Sequence, residues 1–259
     1  MVSSFALTFI AGAALGSYVQ TMTGFALGIV VTGVVTLSGT VPIADTADAL
    51  SIIGVINAMV VLPKMGKHTD WPSLLRIMLA LTPGMIAGVV LLDTLSSQHS
   101  TLLRLLAGVV VLMGGATLLL QPQPVEKPSG PLSTGMLGAI AGVMSGLFSL
   151  PGPPMVYHYY RQPLSLETVR ATLITIFAIL SIFRLIAVQV QTGISMVSVH
   201  MALLSIPVVI VCSWLGVRFP PRLSDIVTRR VAFSILTGMG VLTIFMALRE
   251  PLAVRLFGG

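Results

Sequence analysis

The sequence predicts an all-α polytopic integral membrane protein made of two inverted repeats, each a broken or re-entrant helical hairpin followed by three transmembrane helices. Three observations carry this. Of 259 residues, 55% are hydrophobic and 8% charged, where a soluble domain would have roughly 25% charged, and the mean hydropathy is +1.01. Apolar runs recur along the whole chain, most of them long enough to be membrane spans. Two of these runs are interrupted by turn chemistry at membrane depth.

Uncharged or nearly uncharged segments cover 5–41, 49–63, 74–92, 105–120, 132–160, 171–190, 195–217 and 231–248. The first has 37 residues without a charge; as one helix it would be about 55 Å long, against a hydrocarbon core of about 30 Å. It must fold back, and Gln20–Gly24 (QTMTG) is the expected break. Arms of about 16 residues, roughly 24 Å each, fit either a re-entrant hairpin or two short full spans. The fifth segment breaks at Phe148–Pro154, where three prolines forbid a continuous helix. Its second arm, Pro154–Gln162, is about 13 Å long and reaches only part of the bilayer. The remaining six segments read as single spans. The N-terminus has no basic flank and runs straight into further apolar sequence, so it reads as a retained helix. Residues 1–120 form the first repeat, 121–131 a cytoplasmic linker and 132–259 the second repeat.

Basic residues orient this scheme, because cytoplasmic loops collect Lys and Arg. With both broken segments returning to the side they entered from, the cytoplasmic face holds Lys64, Lys67, Arg76, Lys127, Arg161, Arg170, Arg218, Arg222, Arg229 and Arg230, while Arg104, Arg249 and Arg255 lie outside. If segment five crossed once, seven would lie outside and six inside. The hairpin arrangement therefore fits, with both termini periplasmic. It also gives each half an odd number of crossings, so the halves run in opposite senses. Internal similarity points to duplication: Arg104–Leu118 overlays Arg230–Ile244 at an offset of 126, and the two tips overlay at 128 by matching Gly24 with Gly152.

In this setting the net charge of +6 reports topology, and nucleic acid is excluded as a partner. The single cysteine, Cys212, rules out an intramolecular disulfide and a cysteine-rich metal site; no metal and no cofactor are expected.

Arg184 is the most informative residue, lying seven positions before the end of an apolar helix and so about 10 Å below its outer end. A charge there either lines a substrate path or is a structural arginine satisfied by backbone carbonyls. Its counterpart at an offset of 127 is Asn57, which could equally bond across helices. At the tips, helix N-termini after Gly24 and after Pro153 or Pro154 would aim free N–H groups and a positive dipole end inward, as an anion site requires. Gly152 belongs to the second tip. Thr21, Thr23 and Ser149 add hydroxyl donors and Gln20 an amide donor, unless the hydroxyls merely cap their helices. Tyr157 and His158 are secondary candidates, while Tyr159, Tyr160 and Arg161 read as an aromatic belt at the cytoplasmic interface. Gly138, Gly142 and Gly146, with Gly12 and Gly16, make small helix faces for close packing. Asp45 and Asp48 fit the outer first turn of a helix begun near Pro42. No Asp or Glu is then deep in a span, so neither a carboxylate proton relay nor intramembrane proteolysis by paired aspartates is expected, and transport should be electrogenic without a proton gradient.

At GSYVQTMTGFALG (16–28) and GVMSGLFSLPGPPMVYHYY (142–160) the chain resembles the TauE/SafE-like sulfite exporter family, also called the toluene sulfonate uptake permease family. The likeness covers the whole chain, although residues 148–152 depart from the family's glycine-richer form. It implies a small inorganic or organic sulfur oxyanion, such as sulfite or an organosulfonate, as partner beside the lipid bilayer, in a bacterial inner membrane. A homo-oligomer stays open. The function expected is therefore export of small sulfur-containing anions by alternating access around a midplane site. An anion channel is the nearest alternative. A membrane-embedded enzyme would need a deep nucleophile and base, and a passive assembly subunit would have no use for Arg184 or broken helices.

Overall fold

The computed structural model describes residues 2–38, 41–98, 102–103, 105–110, 112–113, 130–219 and 241. Eight α-helices are bounded within them: α1 (Val2–Thr23), α2 (Ala26–Ser38), α3 (Ile43–Met65), α4 (Trp71–Gln98), α5 (Pro131–Phe148), α6 (Gly152–Tyr160), α7 (Leu166–Gln191) and α8 (Met196–Arg218), with a 3-10 turn at Gly66–His68. No strand occurs among the described residues. The linker at 121–129, Arg104 with residues 111 and 114–118 of the first paired segment, and all but residue 241 of Arg230–Ile244 and the last span lie outside them.

Local chemistry sets the boundaries. Ser165 caps α7 by accepting from Thr168 N at 3.2 Å, and Ser195 caps α8 by accepting from Ser198 N at 3.1 Å. Pro131 starts α5 in the first turn, where its missing N–H costs nothing. Among the described residues, four apolar helical segments are long enough to cross a bilayer: Ile43–His68, Trp71–Ser96, Leu166–Gln191 and Met196–Arg218. Large apolar side chains point outward from them, Leu79 being 79% exposed; hydrocarbon, not water, suits such a surface.

Both expected interruptions are present. The first falls at the last residue of the expected interval: α1 continues through Gln20 to Thr23 and stops at Gly24, whose φ of 87° is the left-handed conformation that ends helices. The second stops α5 at Ser149, also left-handed with φ 56°, and the chain restarts at Gly152. The arms of the first hairpin are unequal, 22 and 13 residues, and α6 has nine, about 13 Å and too short to span.

The element order repeats. Helices start at 26 and 152, 43 and 166, and 71 and 196, offsets of 126, 123 and 125. The tips correspond at 125, Gly24 with Ser149, and not at 128 as glycine matching suggests. Conformation sets the equivalence: what the tips share is a left-handed helix-ending residue, and in the second half a serine supplies it.

Packing interleaves the halves, since α5 lies against α4 and α1 against α8. The α4–α5 seam is glycine on both sides. A Cβ at Gly84 would lie 2.5 Å from Ala139 O, and Cβ atoms at Gly88, Gly142 and Gly146 would strike Val143 O, Leu81 O and Met85 O. Gly16 performs the same service for α1 against α2, its would-be Cβ being 2.9 Å from Leu27 O. The two hairpins touch: Tyr160 Oη, from the far end of α6, donates to Thr23 O at 2.9 Å, and Gly28 of α2 leaves the space that Leu150 of the second tip fills.

Candidate functional site

The tips line a partly open cavity of about 30 Å³. Gln20 and Phe25 approach it from the first hairpin, Ser145, Ser149 and Pro151 from the second, and Ser181 from α7. Helix periodicity explains the serines, for Ser145 and Ser149 are four apart and share one face. Gly54 of α3 also lines the space, and a Cβ there would sit 3.2 Å from Ser181 Oγ.

Two hydrogen-bonded chains hold the tips. In the first, Gln20 Nε2 donates to Asn57 Oδ1 at 2.8 Å, Asn57 Nδ2 donates to Ser213 Oγ at 2.7 Å, and Gln20 Oε1 accepts from Leu27 N at 3.0 Å. Gln20 thus caps the start of α2 while its amide is fixed by α3. In the second, Arg184 Nε donates to Gly146 O at 3.0 Å and Nη1 donates to Asp48 Oδ1 at 2.7 Å and to Ser51 Oγ at 3.2 Å. Ser51 Oγ and Ser149 Oγ share a hydrogen bond of 2.9 Å. The halves correspond: Asn57 and Arg184 each bind the last turn of a tip helix, at Gln20 and Gly146, positions 126 apart.

The sequence candidates therefore divide. Gln20 and Ser149 line the cavity; Asn57 and Arg184 stand one bond or one serine pair behind it, both fully buried. Gly24 shapes its tip, and Gly152 opens α6. Because Pro153 and Pro154 follow Gly152, only Gly152 and Met155 have an N–H in the first four positions of α6. Thr21 and Thr23 are outside the cavity lining, and their hydroxyls donate to Tyr18 O at 2.7 Å and Val19 O at 3.0 Å within α1. Tyr157 is half-exposed, accepts from Arg161 Nη1 at 2.6 Å and carries the guanidinium over its ring. His158 is buried, off the cavity, edge-on to Tyr159.

Two expectations are corrected. Tyr159 and Tyr160 do not form an interfacial belt: Tyr159 is fully buried with its hydroxyl 3.1 Å from Ser73 Oγ, and Tyr160 bonds the first tip. Polar partners inside the bundle satisfy both hydroxyls, so Tyr159 can be buried and Tyr160 partly so. Nor is the interior free of carboxylates. Asp48 is buried and paired with Arg184, because α3 brings its second turn to the depth at which α7 presents the arginine. Asp48, Ser51, Ser145 and Ser181 were missed, although their spacings of three and four from one another or from Ser149 and Arg184 are the signal of a polar helix face.

Interrupted helices that converge on one cavity are an architecture found in membrane transporters. The chain belongs to the sulfite exporter TauE/SafE family, whose model matches residues 8–243; this is a family of transporters and not of enzymes. It is 37% identical over 225 residues to a protein of Cupriavidus necator named "Probable sulfite/organosulfonate exporter TauE", covering 87% of this chain and 88% of that one. No solved structure matches the chain.

Proposed function

We propose that the protein exports small sulfur oxyanions, sulfite or organosulfonates, across a bacterial inner membrane by alternating access. The observation that carries this is the convergence of both hairpins on a cavity that Gln20, Ser145, Ser149 and Ser181 line with polar groups in a chain of this family; the name of the Cupriavidus relative supplies the substrate class. The amide of Gln20, the hydroxyl of Ser149 and backbone N–H groups at the starts of α2 and α6 are the donors, with Gly24 and Ser149 making the turns. Asn57 holds Gln20 in place, and Arg184 supplies the positive charge behind Ser149. The cavity of about 30 Å³ has room for a water or two, and in this reading the tips part to load the anion, as a carrier requires. The halves, 1–120 and 132–259, act as inverted units with both termini periplasmic. Export is downhill electrically, since an anion leaving a negative cytoplasm gains about 2.3 kcal/mol per charge per 100 mV.

Counterflow tests this in proteoliposomes. Radiolabelled sulfite is expected to accumulate transiently against preloaded unlabelled sulfite or an organosulfonate. Equilibration with no overshoot would indicate a channel, and no movement of either anion would contradict the reading.

A further inference from the structure

We infer that Asp48 is an internal counter-anion which the transported oxyanion displaces from Arg184. The inference rests on the proposed anion export and deepens it, by naming the group with which the substrate competes.

Arg184 is fully buried, whereas the side chain of Asp48 is 9% exposed. Asp48 lies five residues beyond Ile43, about 8 Å along the helix from the outer end of α3. The carboxylate can thus regain water by a short movement, while the guanidinium cannot. Arg184 is also incompletely used, because Nη2 is buried with no hydrogen-bond partner among the described residues. A purely structural arginine at this depth would be expected to have its donors satisfied. Moreover, a buried ion pair adds little net stability compared with apolar side chains of similar volume, so stability alone gives little reason for this one.

The pair also lies next to the cavity. From Arg184 Nη1 the path runs 3.2 Å to Ser51 Oγ and 2.9 Å on to Ser149 Oγ, which lines it. Ser181, one turn before Arg184 on the same face of α7, lines it as well. An oxyanion entering between the tips therefore approaches a cation already engaged by one carboxylate, with a guanidinium N–H group still free. The neighbouring Asp45 does not compete, since it accepts from Ser195 Oγ and Ser198 Oγ at the start of α8. Asp48 keeps Arg184 neutralised while no substrate is bound, and the oxyanion takes its place when the tips open. Binding weakens by the strength of this competition, which helps the anion leave on the far side.

Sulfite binding by calorimetry, on protein purified in sulfite and then desalted, tests the exchange. Asp48→Asn keeps the shape and removes the competing charge; it is expected to bind sulfite at least about tenfold more tightly than wild type, and sulfite should raise its melting temperature more than that of wild type. Asp48→Asn/Arg184→Gln leaves no buried charge unpaired; it is expected to fold and to bind sulfite at least about tenfold more weakly. Wild type that binds sulfite, with Asp48→Asn neither stabilised nor tightened by it, overturns the exchange and leaves the export reading standing. Wild type that neither binds nor transports sulfite or sulfonates overturns both.

Discussion

Arg184→Ala is expected to abolish sulfite binding and to destabilise the fold by about 3 to 5 kcal/mol, the usual consequence of stripping one partner from a buried ion pair. Asp48 would be left as an uncompensated charge, Gly146 O would lose its donor, and Ser51 would lose one of its partners. Arg184→Lys is expected to be intermediate, because one ammonium cannot reach Asp48, Ser51 and Gly146 together from the positions that the planar guanidinium occupies. Thermal unfolding in detergent reports the stability change and calorimetry on monodisperse protein the binding. A folded Arg184→Ala protein with wild-type sulfite affinity would remove this residue from the site.

The second large effect belongs to the α4–α5 seam. Gly146→Ala is expected to destabilise the protein by more than the roughly 1 to 3 kcal/mol of ordinary overpacking, because the added methyl meets backbone atoms, which cannot rotate away. Val89 N would lie 2.6 Å from it and Gly88 C 2.7 Å, with Met85 O nearer still. Relief requires α5 to move off α4, and the Gly146 carbonyl moves with it, away from Arg184 Nε. Gly135→Ala is the control, since nothing lies within 4 Å of a Cβ there. Thermal unfolding of the two variants should differ sharply; equal melting temperatures would contradict the close approach of these helices.

Much of the fold was legible because lipid imposes simple rules. Runs without charge locate the spans, and Pro151, Pro153 and Pro154 mark the second break because prolines so close together end the preceding helix while fitting the first turn of the next. The first break falls at the end of the expected interval, because Thr21 and Thr23 bond back to their own helix and leave Gly24 to stop it. Arg184 and Asn57 stood out as isolated polar residues at depth, and the structure holds each against a tip.

What was hidden depends on which helices lie side by side. Asp48 sits near the start of α3, and sequence alone makes it a dipole-stabilising carboxylate at a membrane surface. Only the packing of α3 on α7 turns it into the partner of a residue 136 positions away. That partnership also removes the ground for expecting transport to be free of any buried carboxylate. Tyr159 and Tyr160 were misplaced for the same reason, since Ser73 and Thr23 are distant in sequence. The serines escaped notice because each singly is unremarkable, and their significance lies in facing one cavity.

The central claim is that the transported oxyanion binds between the two hairpin tips. Selenite has the shape and charge of sulfite, and its selenium scatters anomalously, so an anomalous difference map from crystals soaked in selenite locates the anion directly. The account expects one dominant peak between Gln20 and Ser149, within hydrogen-bonding reach of the Ser149 hydroxyl and closer to Arg184 than to any other arginine. Peaks confined to the surface arginines, with none between the tips, would contradict it.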